Sequence, residues 1–181
     1  KTLERTGQDI QNNGTLTIRD NTKQGKIIAN GGNVGIAIGV GNNSVTTIEY
    51  ANVEAVEGAV ITGQATGATI TIEDGVFSTS DNAVIAGNGT KREGNANVIT
   101  INGGTFTGNI KSAGYIACGI YAPWKDIITV NGGNFTVHNG IGIVARAGQV
   151  TVNGGTFTCT GSAKGGVGDK KFDMDAAQCV Y

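Results

Sequence analysis

Three stretches of the chain alternate apolar and polar residues, turn on a pair of glycines, and resume the alternation. They are Ile99-Thr100-Ile101-Asn102-Gly103-Gly104-Thr105-Phe106-Thr107, Ile128-Thr129-Val130-Asn131-Gly132-Gly133-Asn134-Phe135-Thr136 and Val150-Thr151-Val152-Asn153-Gly154-Gly155-Thr156-Phe157-Thr158. A period of two broken by a glycine corner predicts two short strands meeting at a bend. The same frame extends upstream. Ile18, Ile48, Ile72, Ile101, Val130 and Val152 form one row of anchors, separated by 30, 24, 29, 29 and 22 residues. Two residues before each anchor stand Leu16, Thr46, Ile70, Ile99, Ile128 and Val150, with a threonine between in every case (Thr17, Thr47, Thr71, Thr100, Thr129, Thr151). Alternation places the anchors inside and the threonines outside. Five residues after the anchor come Val53, Phe77, Phe106, Phe135 and Phe157, and in the first coil Lys23.

A third apolar run follows in each unit: Gly35–Ile38, Gly58–Ile61, Asn82–Ile85, Ile116–Ile120 and Gly140–Val144. Three strands per unit, with units of solenoid length, predict an all-β fold, a single-stranded right-handed parallel β-helix of about six coils. At ~4.8 Å per coil the rod is roughly 29 Å long. The predicted helix spans residues 14–168. Residues 1–13 read as a polar, irregular lead-in or N-terminal cap, and residues 169–181 as a C-terminal cap or the start of further coils. Stacking predicts a phenylalanine ladder inside and an Asn102/Asn131/Asn153 ladder at the first corner, with the following glycines at positive φ.

Composition narrows the chemistry. Lys plus Arg number 13 and Asp plus Glu 14, so no net field draws nucleic acid or an anionic membrane. No apolar run reaches the ~18 residues of a membrane span. Charged residues are only 15% of the 181, which leaves a surface of hydroxyls and amides. Cys118 and Cys159 fall at inward-facing strand positions and are expected as core thiols; with Cys179 they are three, so they cannot all pair within the chain.

The repeat at Val150–Thr158, together with Gly14-Thr15-Leu16-Thr17-Ile18-Arg19-Asp20 leading to Gly25-Lys26-Ile27-Ile28, resembles the pectate-lyase-like β-helix proteins of Gram-positive gut bacteria and their phages. The likeness covers about residues 14–168. It implies a phage head-fibre, capsid-decoration or tail-spike component, or otherwise a bacterial surface adhesin. It further implies a location on the virion surface, or else an extracellular or cell-surface one, capsid or tail proteins as neighbours, and self-association, with a trimer expected. A host cell-surface glycan is the expected ligand.

Catalysis is the alternative, because the wider fold includes polysaccharide lyases and hydrolases. Hydrolysis needs a paired acid and nucleophile or base; elimination needs a calcium-binding acidic cluster with a base. Glu49, Glu54, Glu57, Glu73, Asp74, Asp81 and Asp126 are predicted on separate coils and sides. Only Glu49 and Glu73 align between neighbouring coils, and asparagine replaces acid there in later coils. We therefore assign no catalytic residue, no metal ligand and no cofactor. His138 reads as a surface turn residue. Asp169, Asp173 and Asp175 lack EF-hand spacing and read as a solvated cap. The outward pairs Thr105/Thr107 and Thr156/Thr158 suggest an ice-binding array, but Asn134 interrupts it.

One constellation stands apart from the repeat. Tyr115, Tyr121, Trp124 and Arg146 fall in or beside insertions, with Arg146 at the height of Pro123 and Trp124. Exposed aromatics beside a planar cation suit sugar stacking or a protein contact, so these four are the candidate glycan-binding residues. The insertions at 87–95 and 121–126 leave the same edge of the coils and are expected side by side.

Overall fold

Ile18, Ile48, Ile72, Ile101, Val130 and Val152 stand opposite one another on successive parallel strands, as their spacing predicts. The computed structural model describes residues 1–31, 36–87, 93–109, 118–161, 163–167, 170–174 and 179. Its strands come in groups, one group to a coil. First are β1 (Thr2–Arg5) and β2 (Ile10–Asn12), then β3 (Thr15–Arg19), β4 (Lys26–Ala29) and β5 (Ile36–Val40). A long β6 (Val45–Ala55) and β7 (Gly58–Ile61) follow, then β8 (Thr69–Ile72), β9 (Gly75–Thr79) and β10 (Ile85–Ala86). The next coils carry β11 (Val98–Ile101), β12 (Thr105–Asn109) and β13 (Cys118–Ala122), then β14 (Ile127–Val130), β15 (Asn134–His138) and β16 (Ile141–Ala145). The last has β17 (Gln149–Val152) and β18 (Thr156–Thr160), followed by β19 (Ala163–Val167) and β20 (Lys170–Met174).

These strands stack into the three faces of a parallel β-helix of about six turns, without a helix among the described residues. One face is β3, the first half of β6, β8, β11, β14 and β17; the second is β1, β4, the second half of β6, β9, β12, β15 and β18. The third is β2, β5, β7, β10, β13 and β16. In β6 the corner has no glycine, and Ile48-Glu49-Tyr50-Ala51 carries the chain from the first face to the second as one strand. The β8–β9 corner has Gly75 alone, and the three corners after it fold on two glycines with separate tasks. A Cβ on Gly132 would lie 2.5 Å from the Asn102 carbonyl oxygen of the coil beneath, and Gly133 has φ +104°. The first position therefore needs close approach and the second a left-handed backbone.

Inside, Phe77, Phe106, Phe135 and Phe157 stack with centroids 5.0, 4.3 and 4.5 Å apart and planes within 8° of parallel. Ile70, Ile72, Ile99, Ile101, Ile128 and Val130 are fully buried beside them. Burying one such side chain contributes about 1.5–3 kcal/mol. The polar rung, Thr46, is buried too, and Asn12 Nδ2 donates to its Oγ1 at 2.8 Å.

The first coil differs from expectation. Ile27, not Lys23, stands opposite Val53 in the phenylalanine row. Lys23 sits in a turn that Asp20 organises by accepting from Thr22 N (3.0 Å) and Gly25 N (2.7 Å). These added residues move the rung four places along. Nor are residues 1–13 irregular: β1 pairs with β4 and β2 with β5, so stacking begins before residue 14. At the other end, β18 is the last parallel strand among the described residues. β19 and β20, on either side of the expected boundary at 168, pair antiparallel.

Candidate functional site

The edge where the third-face strands exit is held by a succession of inter-coil bonds. Asn42 Oδ1 accepts from Thr66 N (3.0 Å), Gly67 N donates to Asn95 O (3.0 Å), and Gln149 N donates to Asp126 O (2.8 Å). Asn97 is the central fastener. Its Nδ2 lies within reach of Ala65 O (2.9 Å), Asp126 Oδ1 (2.9 Å) and Thr62 Oγ1 (3.4 Å), and its Oδ1 accepts from Ala68 N (2.9 Å). Asn97 and Asp126 are both buried. A buried amide bonded in this way holds neighbouring coils in register, because breaking it strands polar groups away from water.

This framework positions two of the four candidate residues. Arg146 N donates to Ala122 O (3.0 Å), which places Arg146 beside Pro123 on the neighbouring coil, and its side chain is exposed. Trp124 is half-buried. It lines a shallow crevice with Thr66, Glu93, Gly94, Asn95 and Lys125, so the insertions at 87–95 and 121–126 do meet where both are described. A Cβ on Gly148 would lie 2.8 Å from Trp124 O, so the next coil passes directly over the Trp124 backbone.

Tyr121 is not an exposed aromatic. It belongs to β13 between the core residues Ile120 and Ala122, and only 3% of it is accessible. It packs with Ala83, Ala86, Cys118, Ile141 and Val144 in a second, smaller apolar cluster. The expectation failed because strand β13 continues through Tyr121 to Ala122 instead of releasing the chain before it. Tyr115 lies outside the described residues.

A larger feature on the same edge was not anticipated. An open groove of about 400 Å³ lies over the early coils, lined by Gln8, Gln11, Asn13, Asn42, Thr62 and Gln64 together with glycine and aliphatic residues. Gln8 Nε2 donates to Gln11 Oε1, and Gln11 Nε2 to Asn13 Oδ1 at 3.0 Å, which makes a string of amides along one wall. None of its lining residues is charged or aromatic. The sequence carried a faint signal, an excess of Gln and Asn at coil exits. Their proximity, however, depends on stacking residues some thirty positions apart.

The candidate catalytic carboxylates are engaged elsewhere. Glu49 takes both guanidinium contacts of Arg19, and that hydrogen bonding holds its carboxyl below the usual range. Glu73 accepts from Asn102 Nδ2 at 2.9 Å. Lys23 pairs with Asp74 (3.2 Å) and Lys26 with Glu54 (2.6 Å). His138, exposed at the end of β15, faces Thr160 Oγ1 at 2.9 Å. No group of three or more His, Cys, Asp and Glu suited to a metal ion occurs among the described residues. No protein-family model matches the chain, and neither the curated proteins nor the solved structures include a significant match.

Proposed function

We propose that this protein is a non-enzymatic attachment element, a β-solenoid rod that holds a polyhydroxylated chain along the edge running from the amide groove to Trp124 and Arg146. The observation that carries the reading is the uncharged groove of Gln8, Gln11, Asn13, Asn42 and Gln64 on the same edge as the half-buried indole. Amides present a donor and an acceptor side by side, which matches vicinal sugar hydroxyls. An indole face and a guanidinium supply the apolar and planar contacts for a sugar ring. A phage virion fibre, capsid-decoration or tail-spike component is the role that best joins a rigid rod to such an edge, with the virion surface as its location and self-association as its assembly. A bacterial cell-surface adhesin would use the same chemistry.

Retention on immobilised cell-wall and capsular polysaccharides tests this. Gln64→Ala and Trp124→Ala should each weaken retention by roughly 5- to 30-fold while leaving the melting curve in place, as expected for losing about 1–2 kcal/mol of contact. Binding unchanged in both variants refutes the assignment of this edge.

A further inference from the structure

After β18 the chain leaves the solenoid, turns through the β19–β20 hairpin, and comes back at Cys179. The returning residue is hydrogen-bonded to the rod: Ile143 N, on the outer edge of the third face, donates to Cys179 O at 2.8 Å. This is the bond that a further third-face strand would make with β16. Cys179 Sγ lies 3.6 Å from Phe157 O and 3.0 Å from Cys159 Sγ. All three cysteines are free thiols here. The room for the pair comes from Gly142, where a Cβ would stand 3.0 Å from Cys159 Sγ and 2.6 Å from Cys179 O. Cys118 is fully buried and sits opposite Ile141 in the third face. Of the three pairings open to the chain, the fold thus brings one together.

We propose that Cys159 and Cys179 are a cross-linking site, whose disulfide locks the returning segment at Cys179 onto the coil of β18 once the protein meets an oxidising low-molecular-weight disulfide. The two sulfurs need to close by about 1 Å to reach bonding distance. Burial, with the hydrogen bond to Cys179, pushes the Cys159 thiol up to about 12. Thiolate is the nucleophile, so Cys179 attacks first. Its thiolate displaces one thiolate from the small disulfide and becomes a mixed disulfide. Cys159 then gives up its proton and attacks the Cys179 sulfur, expelling the second small thiol. Two protein thiols are oxidised to one disulfide, and one small disulfide is reduced to two thiols. The link closes a loop with an i-to-j separation of 20 residues, which restricts the unfolded segment and disfavours its release from the coil.

The test uses the full chain, folded, incubated with oxidised glutathione and compared with a reduced sample. Free thiols counted after denaturation should fall from three to one. Trypsin, which can cut at Lys164, Lys170 and Lys171 inside the loop, should leave the Cys179 peptide joined to the Cys159 peptide until a reductant is added. Dissociation of the Cys179 segment from the rod should slow by on the order of tenfold or more. Cys179→Ser, changed outside the coils, should melt with the reduced wild type and keep its two remaining thiols after oxidation. Three free thiols in oxidised wild type, a stable glutathione adduct without the cross-link, or a link that includes Cys118 overturns the proposal.

Discussion

Asn131 Nδ2 donates to Asn102 Oδ1 across 2.9 Å, joining residues 29 apart in sequence and one coil apart in space. Asn153 Nδ2 continues the row onto Asn131 Oδ1 at 2.8 Å, and Glu73 begins it by accepting from Asn102. Asn131 is both donor and acceptor, so replacements separate the two tasks. Asn131→Ala opens the row to water and should cost about 1 kcal/mol in urea unfolding. Asn131→Asp keeps the acceptor for Asn153 but presents a carboxylate to Asn102 Oδ1. It should be less stable than Asn131→Ala near neutral pH and recover in acid, where the protonated group donates again. An Asp variant indifferent to pH contradicts the ladder.

Phe135 lies between Phe106 and Phe157 and is buried, whereas Thr129 on the adjoining face is half-exposed. Phe135→Ala should cost about 3–5 kcal/mol by leaving a cavity. Thr129→Ala opens no cavity and should cost less than about 1 kcal/mol. Equal losses at the two sites would mean that the inside and outside of the coil are misassigned.

The corner glycines should be intolerant for two different reasons. Gly132→Ala meets the Asn102 carbonyl, and Gly133→Ala holds a side chain at φ +104°. Each should cost about 1–3 kcal/mol. At Gly14 a Cβ meets nothing within 4 Å, so Gly14→Ala should be neutral or stabilise by about 0.4–1 kcal/mol. Thermal melts of the three variants rank them, and an equal penalty at Gly14 removes the argument from close approach.

Glu49 carries an acid-dependent contact that links the first two coils. Hydrogen bonds from Arg19 lower its folded-state value relative to the ordinary 4.5. A depressed carboxylate contributes stability above its unfolded value and loses it as pH falls through the folded one, so the loss lies on the acid side of 4.5. Arg19→Ala should return the Glu49 titration, followed by carboxyl NMR, to the ordinary range. A midpoint unmoved by the substitution would assign the shift to something other than this pair.

The ladders were legible in the sequence because a solenoid writes its register locally: Ile101, Val130 and Val152 stand opposite one another for the same reason that they recur in the same nine-residue phrase. What the repeat does not write was missed. Spacing alone puts Lys23 in the aromatic row, but the Asp20–Gly25 turn lengthens the first coil and Ile27 stands there. Tyr121 was expected outside because its strand end is set by pairing with Val144, not by local pattern. The amide groove and the Cys159–Cys179 approach join residues that no periodicity relates. Arg146 follows β16 at the height where Pro123 follows β13, and its N–H donates to Ala122 O, a strand-end alignment that coil spacing predicts.

The most direct measurement is made on one sample: retention of the wild-type chain on a polysaccharide panel, with the same polymers assayed for new reducing ends and unsaturated products. Retention with polymer length unchanged is the predicted result. Sustained release of either product, proportional to protein and abolished by heat denaturation, would contradict an attachment role and make the rod an enzyme.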